Sequence, residues 1–322
     1  MTLAPTTAGA HPSVAVLVPC FNEEATVAKV VEDFRRALPG AAIHVFDNNS
    51  TDRTVEEAAR AGALVRAVRL QGKGNVVRQM FADVDADVYV MVDGDGTYDA
   101  GQSGELVEQL LANGCDMVVG MRQADDPRAY RSGHRFGNSL LTRSMTTVFG
   151  RTFADMLSGY RVFSRRYVKS FPAHSAGFEI ETELTVHALE LRMPVLEVPT
   201  AYSARPEGSA SKLRTYRDGL RILWTIVTLF KAERPLAFFS IAFAACAATS
   251  VALAVPLFET YLATGLVPRL PTAVLSVGLM LFGTILLACG LVLDTVTRGR
   301  LEAKRLAYLS LPGPARGSPA RS

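Results

Sequence analysis

The sequence is short of charge. Only 20% of its 322 residues are Asp, Glu, Lys or Arg, against about 25% in an average soluble domain. Neither sign dominates: 34 Lys and Arg face 31 Asp and Glu, a net charge of +3, which excludes a generic nucleic-acid binder. Cysteine is sparse. Cys20, Cys115, Cys246 and Cys289 are scattered, with no CxxC pair, so neither a zinc site nor a disulfide framework is indicated. Several motifs are missing as well. No GxGxxG follows the first apolar segment, and Gly72-Lys73 lacks the upstream Gly and the following Ser or Thr of a P-loop. There is no HExxH and no GxSxG. These absences argue against dinucleotide binding, P-loop chemistry, zinc peptidases and α/β-hydrolases. The five histidines (His11, His44, His134, His174 and His187) are dispersed and read as structural or solvent-facing.

What the chain does have is apolar residues, 49% of the total, and a mean hydropathy of +0.18. The excess is concentrated. Leu236–Phe258 and Leu270–Leu293 contain no Asp, Glu, Lys or Arg. Each run is about 23 residues, and roughly 20 suffice for a helix to cross a membrane. The short link Glu259–Arg269 makes them a hairpin. Lys231 and Arg234 precede the first run, and Arg298, Arg300, Lys304 and Arg305 follow the second. By the positive-inside rule both ends are expected in the cytoplasm. The opening residues MTLAPTTAGAHPSV carry no basic segment followed by an apolar one, so no secretory signal is read there. Residues 1–12 read as a flexible N-terminus, 13–212 as a cytosolic domain and 294–322 as a cytosolic tail. That tail is Pro/Gly/Ser-rich after Leu309 and expected to be disordered there. Between domain and hairpin, residues 213–235 include Tyr216, Leu220, Leu223, Trp224, Val227 and Phe230 at steps of three and four. A basic amphipathic helix beside a span fits the headgroup plane; packing on the cytosolic domain is the alternative.

The cytosolic part alternates. Short apolar runs at Ser13–Val18, Ile43–Phe46, Leu64–Val68, Asp87–Val92 and Met117–Val119 predict strands. Segments Glu24–Leu38, Thr51–Ala61, Gly74–Val84 and Glu105–Asn113 predict helices, the second capped by Ser50 or Thr51. This rhythm predicts an α/β fold, a mostly parallel sheet flanked by helices on both faces. Ligands of such sheets bind beyond the carboxyl ends of the strands. There the sequence reads Pro19-Cys20-Phe21-Asn22-Glu23-Glu24, Asp47-Asn48-Asn49-Ser50-Thr51-Asp52 and Asp93-Gly94-Asp95-Gly96-Thr97. Asp93 and Asp95 are alternate residues, so extended backbone can offer both to one hard cation. Mg²⁺ takes one or two carboxylates plus substrate phosphates. Asp-Gly is also ordinary turn chemistry; the two polar strand ends beside it favour a site.

A second set is basic: Arg122, Arg128, Arg131, Arg135, Arg205, Lys212, Arg214 and Arg217. Arg suits bidentate phosphate recognition. Arg128, Arg214 and Arg217 read as solvated surface. Arg205 and Lys212 bracket a Gly/Ser loop that could close over a phosphate.

The ordered motifs PCFNEE, DNNSTD, DGD, GMR, DMLSGYRVFSR, GFEIETEL and ARPEGSASKL resemble those of the polyprenyl-phosphate glycosyltransferases, inverting enzymes of glycosyltransferase family 2 with a GT-A fold. The similarity runs from about Ser13 to Lys212, and the appended hairpin is like that of bacterial and archaeal members. The resemblance implies transfer of a sugar from a nucleotide-sugar donor to polyprenyl phosphate at a membrane, with Mg²⁺ or Mn²⁺ as cofactor. It implies that Pro19, Phe21, Glu23, Val45 and Asp47 hold the nucleoside, and that Asp93, Gly94 and Asp95 form the metal and diphosphate site. Thr97, a further candidate metal ligand by this resemblance, stands where mannose synthases carry a Gln as a possible ligand. Arg122, Arg205 and Lys212 would grip donor phosphates; Arg131, Arg135 and Asn138 would meet the lipid phosphate. Asp155 and Glu183 fall in acidic motifs near the sugar or acceptor. Phe21 in place of a frequent Tyr, Thr97, and an Arg205–Lys212 loop one residue longer than in mannose synthases favour a UDP-sugar over GDP-mannose. Homo-oligomers are compatible with this reading, since Gly278, Gly283 and Gly290 permit close helix packing. Two other readings are a processive polysaccharide synthase, which would carry a QxxRW motif absent here, and an inactive nucleotide-sugar-binding scaffold.

Overall fold

The computed structural model describes residues 12–123, 153–177, 179–203, 224, 227–228 and 230–314. The chain divides into two compact units, one comprising residues 1–219 and 304–322, the other residues 220–303.

The first unit is built on one seven-stranded sheet. Its elements run β1 (Val14–Cys20), α1 (Val27–Ala37), β2 (Ala42–Asp47), α2 (Thr54–Arg60), β3 (Leu64–Ala67), α3 (Lys73–Asp83), β4 (Val88–Met91), α4 (Ser103–Asn113) and β5 (Met117–Gln123). They continue with β6 (Arg161–Ser164), α5 (Arg165–Ser170), α6 (Ile180–Glu190) and β7 (Val195–Ala201). Strand order is β3-β2-β1-β4-β6-β5-β7. Strand β6 runs antiparallel to β4 and β5, and the other pairings are parallel. The mostly parallel expectation therefore holds, with one reversed strand in the middle.

Both faces of the sheet are covered, because consecutive residues of β1 (Val16, Leu17 and Val18) are all fully buried. On one face, Val16 and Val18 pack with Val27, Val31 and Phe34 of α1 and Leu106 and Leu110 of α4. On the other, Phe81 of α3 meets Phe163 of β6 edge-on at 5.7 Å, and Tyr167 of α5 stacks on Phe163 at 4.6 Å. The first two predicted helices start three residues later than expected, at Val27 and Thr54, whereas α3 and α4 start earlier, at Lys73 and Ser103. Helix α2 begins at Thr54, where the Asp52 carboxylate accepts from the Thr54 N–H at 3.0 Å. Ser50 and Thr51, expected as caps, are drawn to the loop after β1 instead. Asn22 N–H donates to Ser50 Oγ at 2.9 Å, and Thr51 N–H donates to Asn22 Oδ1 at 2.8 Å.

Two long helices complete the chain, α7 (Pro235–Thr264) and α8 (Leu270–Leu309). Both are long and apolar enough to cross a membrane, and they fit a transmembrane hairpin. Within the second unit Ser250 and Ser276 exchange hydroxyl-to-carbonyl hydrogen bonds of 2.7 and 3.0 Å. Gly283 faces Phe243 and Cys246, and Gly290 faces Phe239. Helix α8 runs sixteen residues past the charge-free run, to Leu309. Its last turns belong to the first unit. Lys304 Nζ pairs with Glu190 at 2.5 Å, and Tyr308 donates to the fully buried Asp116 at 2.8 Å.

Candidate active site

Strands β2, β1 and β4 are adjacent and parallel, so their carboxyl ends share one edge. Cys20 lies opposite Asp47 in register. The loops beyond are stitched together: Asn48 N–H donates to Cys20 O at 2.9 Å, and Glu23 N–H donates to Thr54 Oγ1 at 2.8 Å. Asn48 Nδ2 reaches Leu70 O at 2.8 Å, and its Oδ1 accepts from Gly72 N–H at 2.7 Å. Pro19 and Phe21 are half-buried, whereas Glu23 and Asp47 are buried. Asp47 Oδ2 accepts from Ser50 N–H at 3.1 Å, but its buried Oδ1 has no hydrogen-bond partner among the described residues. A carboxylate oxygen left unpaired in a buried position is costly, and it calls for a donor from outside. Val45 differs from expectation. It is fully buried and belongs to the core cluster with Val16 and Val18. It sits two residues short of the strand end, and its side chain packs in the core on the face that α1 covers.

At the end of β4, Asp95 is buried and its Oδ1 accepts from Thr97 N–H at 3.2 Å and Thr97 Oγ1 at 2.7 Å. Thr97 is itself 1% exposed, so it orients Asp95. Gly94 permits close packing; a Cβ there would lie 2.6 Å from Cys20 Sγ. Asp93 is more open, and Lys73 Nζ meets its Oδ1 at 2.6 Å. The same ammonium lies 2.5 Å from Glu181 Oε1. Burial disfavours the charge on Lys73, but Asp93 and Glu181 outweigh it and push its pKa well above the lysine range. On the other side of Asp93 stands Gly159, where a Cβ would come within 2.3 Å of Asp93 Oδ2.

Lys73 and Glu181 escape a search for known signatures, since Gly72-Lys73 fails the P-loop pattern. The structure gives the glycines a different purpose. A Cβ at Gly72 would lie 2.2 Å from Ala176 O, and one at Gly74 would lie 2.0 Å from Ser175 O. The two glycines let the start of α3 press against the loop before α6, and Gly74 N–H donates to Ala176 O at 3.1 Å. Glu183 braces that loop by accepting from His174 N–H at 2.7 Å and Ser175 N–H at 2.8 Å.

Arg122 and Asp155 form a separate fork. Arg122 Nε and Nη2 donate to the two Asp155 oxygens, both at 2.7 Å. Desolvation opposes the guanidinium charge, but the hydrogen bonds to Asp155 prevail and raise its pKa. Arg122 also lies over the Tyr202 ring at 5.6 Å. Tyr202 contacts Tyr98 at 5.2 Å, and Tyr98 Oη accepts from Gly159 N–H at 2.9 Å. A run of contacts therefore links the fork to Asp93. Fully buried Arg161 braces the segment between, donating to Met156 O at 2.5 Å and Ser158 O at 2.9 Å. Arg131, Arg135, Asn138, Arg205 and Lys212 lie outside the described residues.

A mixed sheet of this order, with carboxylates gathered at the ends of β2 and β4, defines a GT-A-type glycosyltransferase domain. The profile of glycosyl transferase family 2 matches residues 15–171. Glycosyltransferase AglJ of Haloferax volcanii is 35% identical over 300 residues, covering 92% of this chain and 98% of the relative. A dolichyl-phosphate hexose transferase of the same organism is 28% identical over 221 residues, covering 68% and 95%. Among solved structures, glucosyl-3-phosphoglycerate synthase from Mycobacterium tuberculosis, in complex with Mn²⁺, UDP and glucosyl-3-phosphoglycerate, aligns with a TM-score of 0.53. Its identity is 24%, over 68% of this chain and 79% of that one. The chain belongs to glycosyl transferase family 2 and is a glycosyltransferase.

Proposed function

We propose that this glycosyltransferase moves a sugar, with inversion, from a nucleotide-sugar donor to polyprenyl phosphate, and that a UDP-sugar is the donor. The observation that carries the reading is the shared strand-end edge that holds both the Asp93–Asp95 pair and Asp47, whose buried Oδ1 has no partner among the described residues. Uracil and guanine both offer an N–H to such an oxygen. The name of the dolichyl-phosphate hexose transferase relative supports a lipid-phosphate acceptor.

The donor set fits a hard divalent cation. Among the described residues no cluster of three or more His, Cys, Asp or Glu could hold a metal. Two carboxylates with oxygens supplied by the donor's phosphates are the usual requirement of Mg²⁺ and suit Mn²⁺ too. Asp93 and Asp95 would hold the ion, with Thr97 fixing the angle of Asp95. When bound, the ion supplies positive charge for the leaving nucleotide diphosphate.

The remaining work falls to the protein's own groups. A phosphomonoester has a second pKa of about 6, so the acceptor is mostly ionised at neutral pH and needs no strong base. Two anions must still be brought together. Arg205 and Lys212 on the donor phosphates, with Arg131, Arg135 and Asn138 on the lipid phosphate, would offset that repulsion. Asp155 holds Arg122 in a fork, which keeps one guanidinium oriented beside the Tyr98–Tyr202 pair. Helices α7 and α8 would anchor the chain as a multi-pass hairpin in the cytoplasmic membrane, with both termini in the cytoplasm and the amphipathic segment 213–235 at headgroup level. Dimers or higher homo-oligomers fit the same arrangement.

The test incubates the full chain in detergent with Mg²⁺ or Mn²⁺, labelled UDP- or GDP-sugars, and polyprenyl phosphate. A labelled lipid is the expected product, and Asp95→Ala should lose it while keeping its fold by circular dichroism. A polymer would favour a processive synthase; no product from any donor would favour a binding scaffold.

A further inference from the structure

The ammonium of Lys73 is shared between two carboxylates from different elements, and only one of them belongs to the metal pair. Lys73 opens α3, and Glu181 sits in the first turn of α6. Their side chains are 13% and 7% exposed, against 28% for Asp93. The seat is built for this purpose by the paired glycines at 72 and 74 and by the Glu183 brace on residues 174 and 175.

Charge balance gives the arrangement a function. Among the protein's own groups, Asp93, Asp95 and Glu181 with the Lys73 ammonium carry two net negative charges, equal to the charge of one divalent cation before the donor phosphates are counted. Without Glu181 the same cation would leave an excess positive charge beside a desolvated ammonium, where Coulomb terms are large. An ammonium paired with Asp93 alone would also grip that carboxylate harder and compete with the metal for it.

We propose that Glu181 is a positioning residue for the metal site: it gives the Lys73 ammonium a second carboxylate, so that Asp93 can pass from the ammonium to the cation. This rests on the reading of Asp93 and Asp95 as cation ligands. Neighbours of metal-binding side chains typically alter affinity by about 10–100-fold when removed, and Glu181 acts one step further out, through Lys73.

The test measures Mn²⁺ binding to the full-length protein by the electron paramagnetic resonance signal of free Mn²⁺, with UDP or GDP present. Glu181→Gln retains an acceptor for Lys73 but removes the charge. It should weaken Mn²⁺ binding about tenfold, and the lost transfer rate should return at high Mn²⁺. The double variant K73M/E181Q removes the competing ammonium and should bind Mn²⁺ to within about threefold of the unaltered protein, the non-additivity expected of directly coupled groups. Circular dichroism and thermal unfolding report whether each variant is folded. Equal Mn²⁺ affinity in Glu181→Gln and the unaltered protein would overturn the inference, and so would a double variant no better than the single one. Absence of Mn²⁺ binding by the unaltered protein with either nucleotide would instead bring down the cation site itself, and this inference with it.

Discussion

Arg122 and Asp155 meet in a two-bond fork, with Nε and Nη2 each 2.7 Å from a different carboxylate oxygen. Their side chains are 18% and 9% exposed, so each depends on the other. Removing one partner of a buried pair typically costs about 3–5 kcal/mol, because the other charge is stranded. Arg122→Ala should lower stability by about that much. Arg122→Lys keeps the charge but not the planar fork, and should lose about 1–2 kcal/mol. Chemical denaturation in detergent, comparing midpoints at constant slope, checks the order.

Gly159 is a second requirement of the site. A methyl group there would press on Asp93 Oδ2, while the fold around it would be kept. Gly159→Ala should reduce metal-dependent transfer about tenfold or more with little change in secondary structure. Gly104, in α4, has nothing within 4 Å of its Cβ position. Gly104→Ala should therefore stabilise by about 0.5–1 kcal/mol without affecting transfer. Parallel assays of the two alanine variants separate a displaced carboxylate from a general glycine effect.

His187 makes stability depend on pH. Burial, and secondarily the charge of Lys304, lowers its pKa from 6.5 to about 3. Its Nε2 lies 3.2 Å from Ser170 Oγ, and its Nδ1 has no partner among the described residues. The folded protein keeps this ring neutral while the unfolded chain protonates it below 6.5. The contribution is therefore fully present above pH 6.5 and lost as pH falls toward 3. The slope approaches about 1.4 kcal/mol per pH unit in that window. His187→Gln should flatten the slope between pH 6 and 4.5, measured by denaturation at stepped pH. An unchanged slope would rule out His187 as its source.

In the hairpin, Gly290 brings α8 against α7. Its Cβ position is 2.8 Å from Phe239 Cβ, so Gly290→Leu should separate the helices locally and lower the thermal midpoint in detergent. The reciprocal Ser250–Ser276 bonds are a weaker clasp. Ser250→Ala should cost about 0.6 kcal/mol, the average for such bonds between membrane helices. The ranking Gly290→Leu below Ser250→Ala in midpoint is the outcome to check.

The strands through β5, the helices between them and both long apolar helices were legible in the sequence, because each is encoded by local periodicity. Residues such as Val27, Val30, Val31 and Phe34 repeat at helical spacing and do occupy one buried face. Strand β6 was not legible. Its four residues leave no periodic trace, and its reversed direction depends on pairing with β4 and β5. Val45 was assigned to the nucleoside by family resemblance, and a resemblance carried over position by position does not show that α1 covers its side chain.

The sequence by itself settled the α/β class, the placing of the apolar excess in two helices, and the acidic residues Asp47, Asp93 and Asp95 at strand ends. Those properties follow from composition and spacing along the chain. Tertiary structure alone decided which charges meet. Lys73 and Glu181 are more than a hundred positions apart and belong to different helices, yet they pair, and the same ammonium meets Asp93. The pairing is set by glycines that let one backbone approach another, a condition of three-dimensional packing that no pattern of neighbours along the chain encodes.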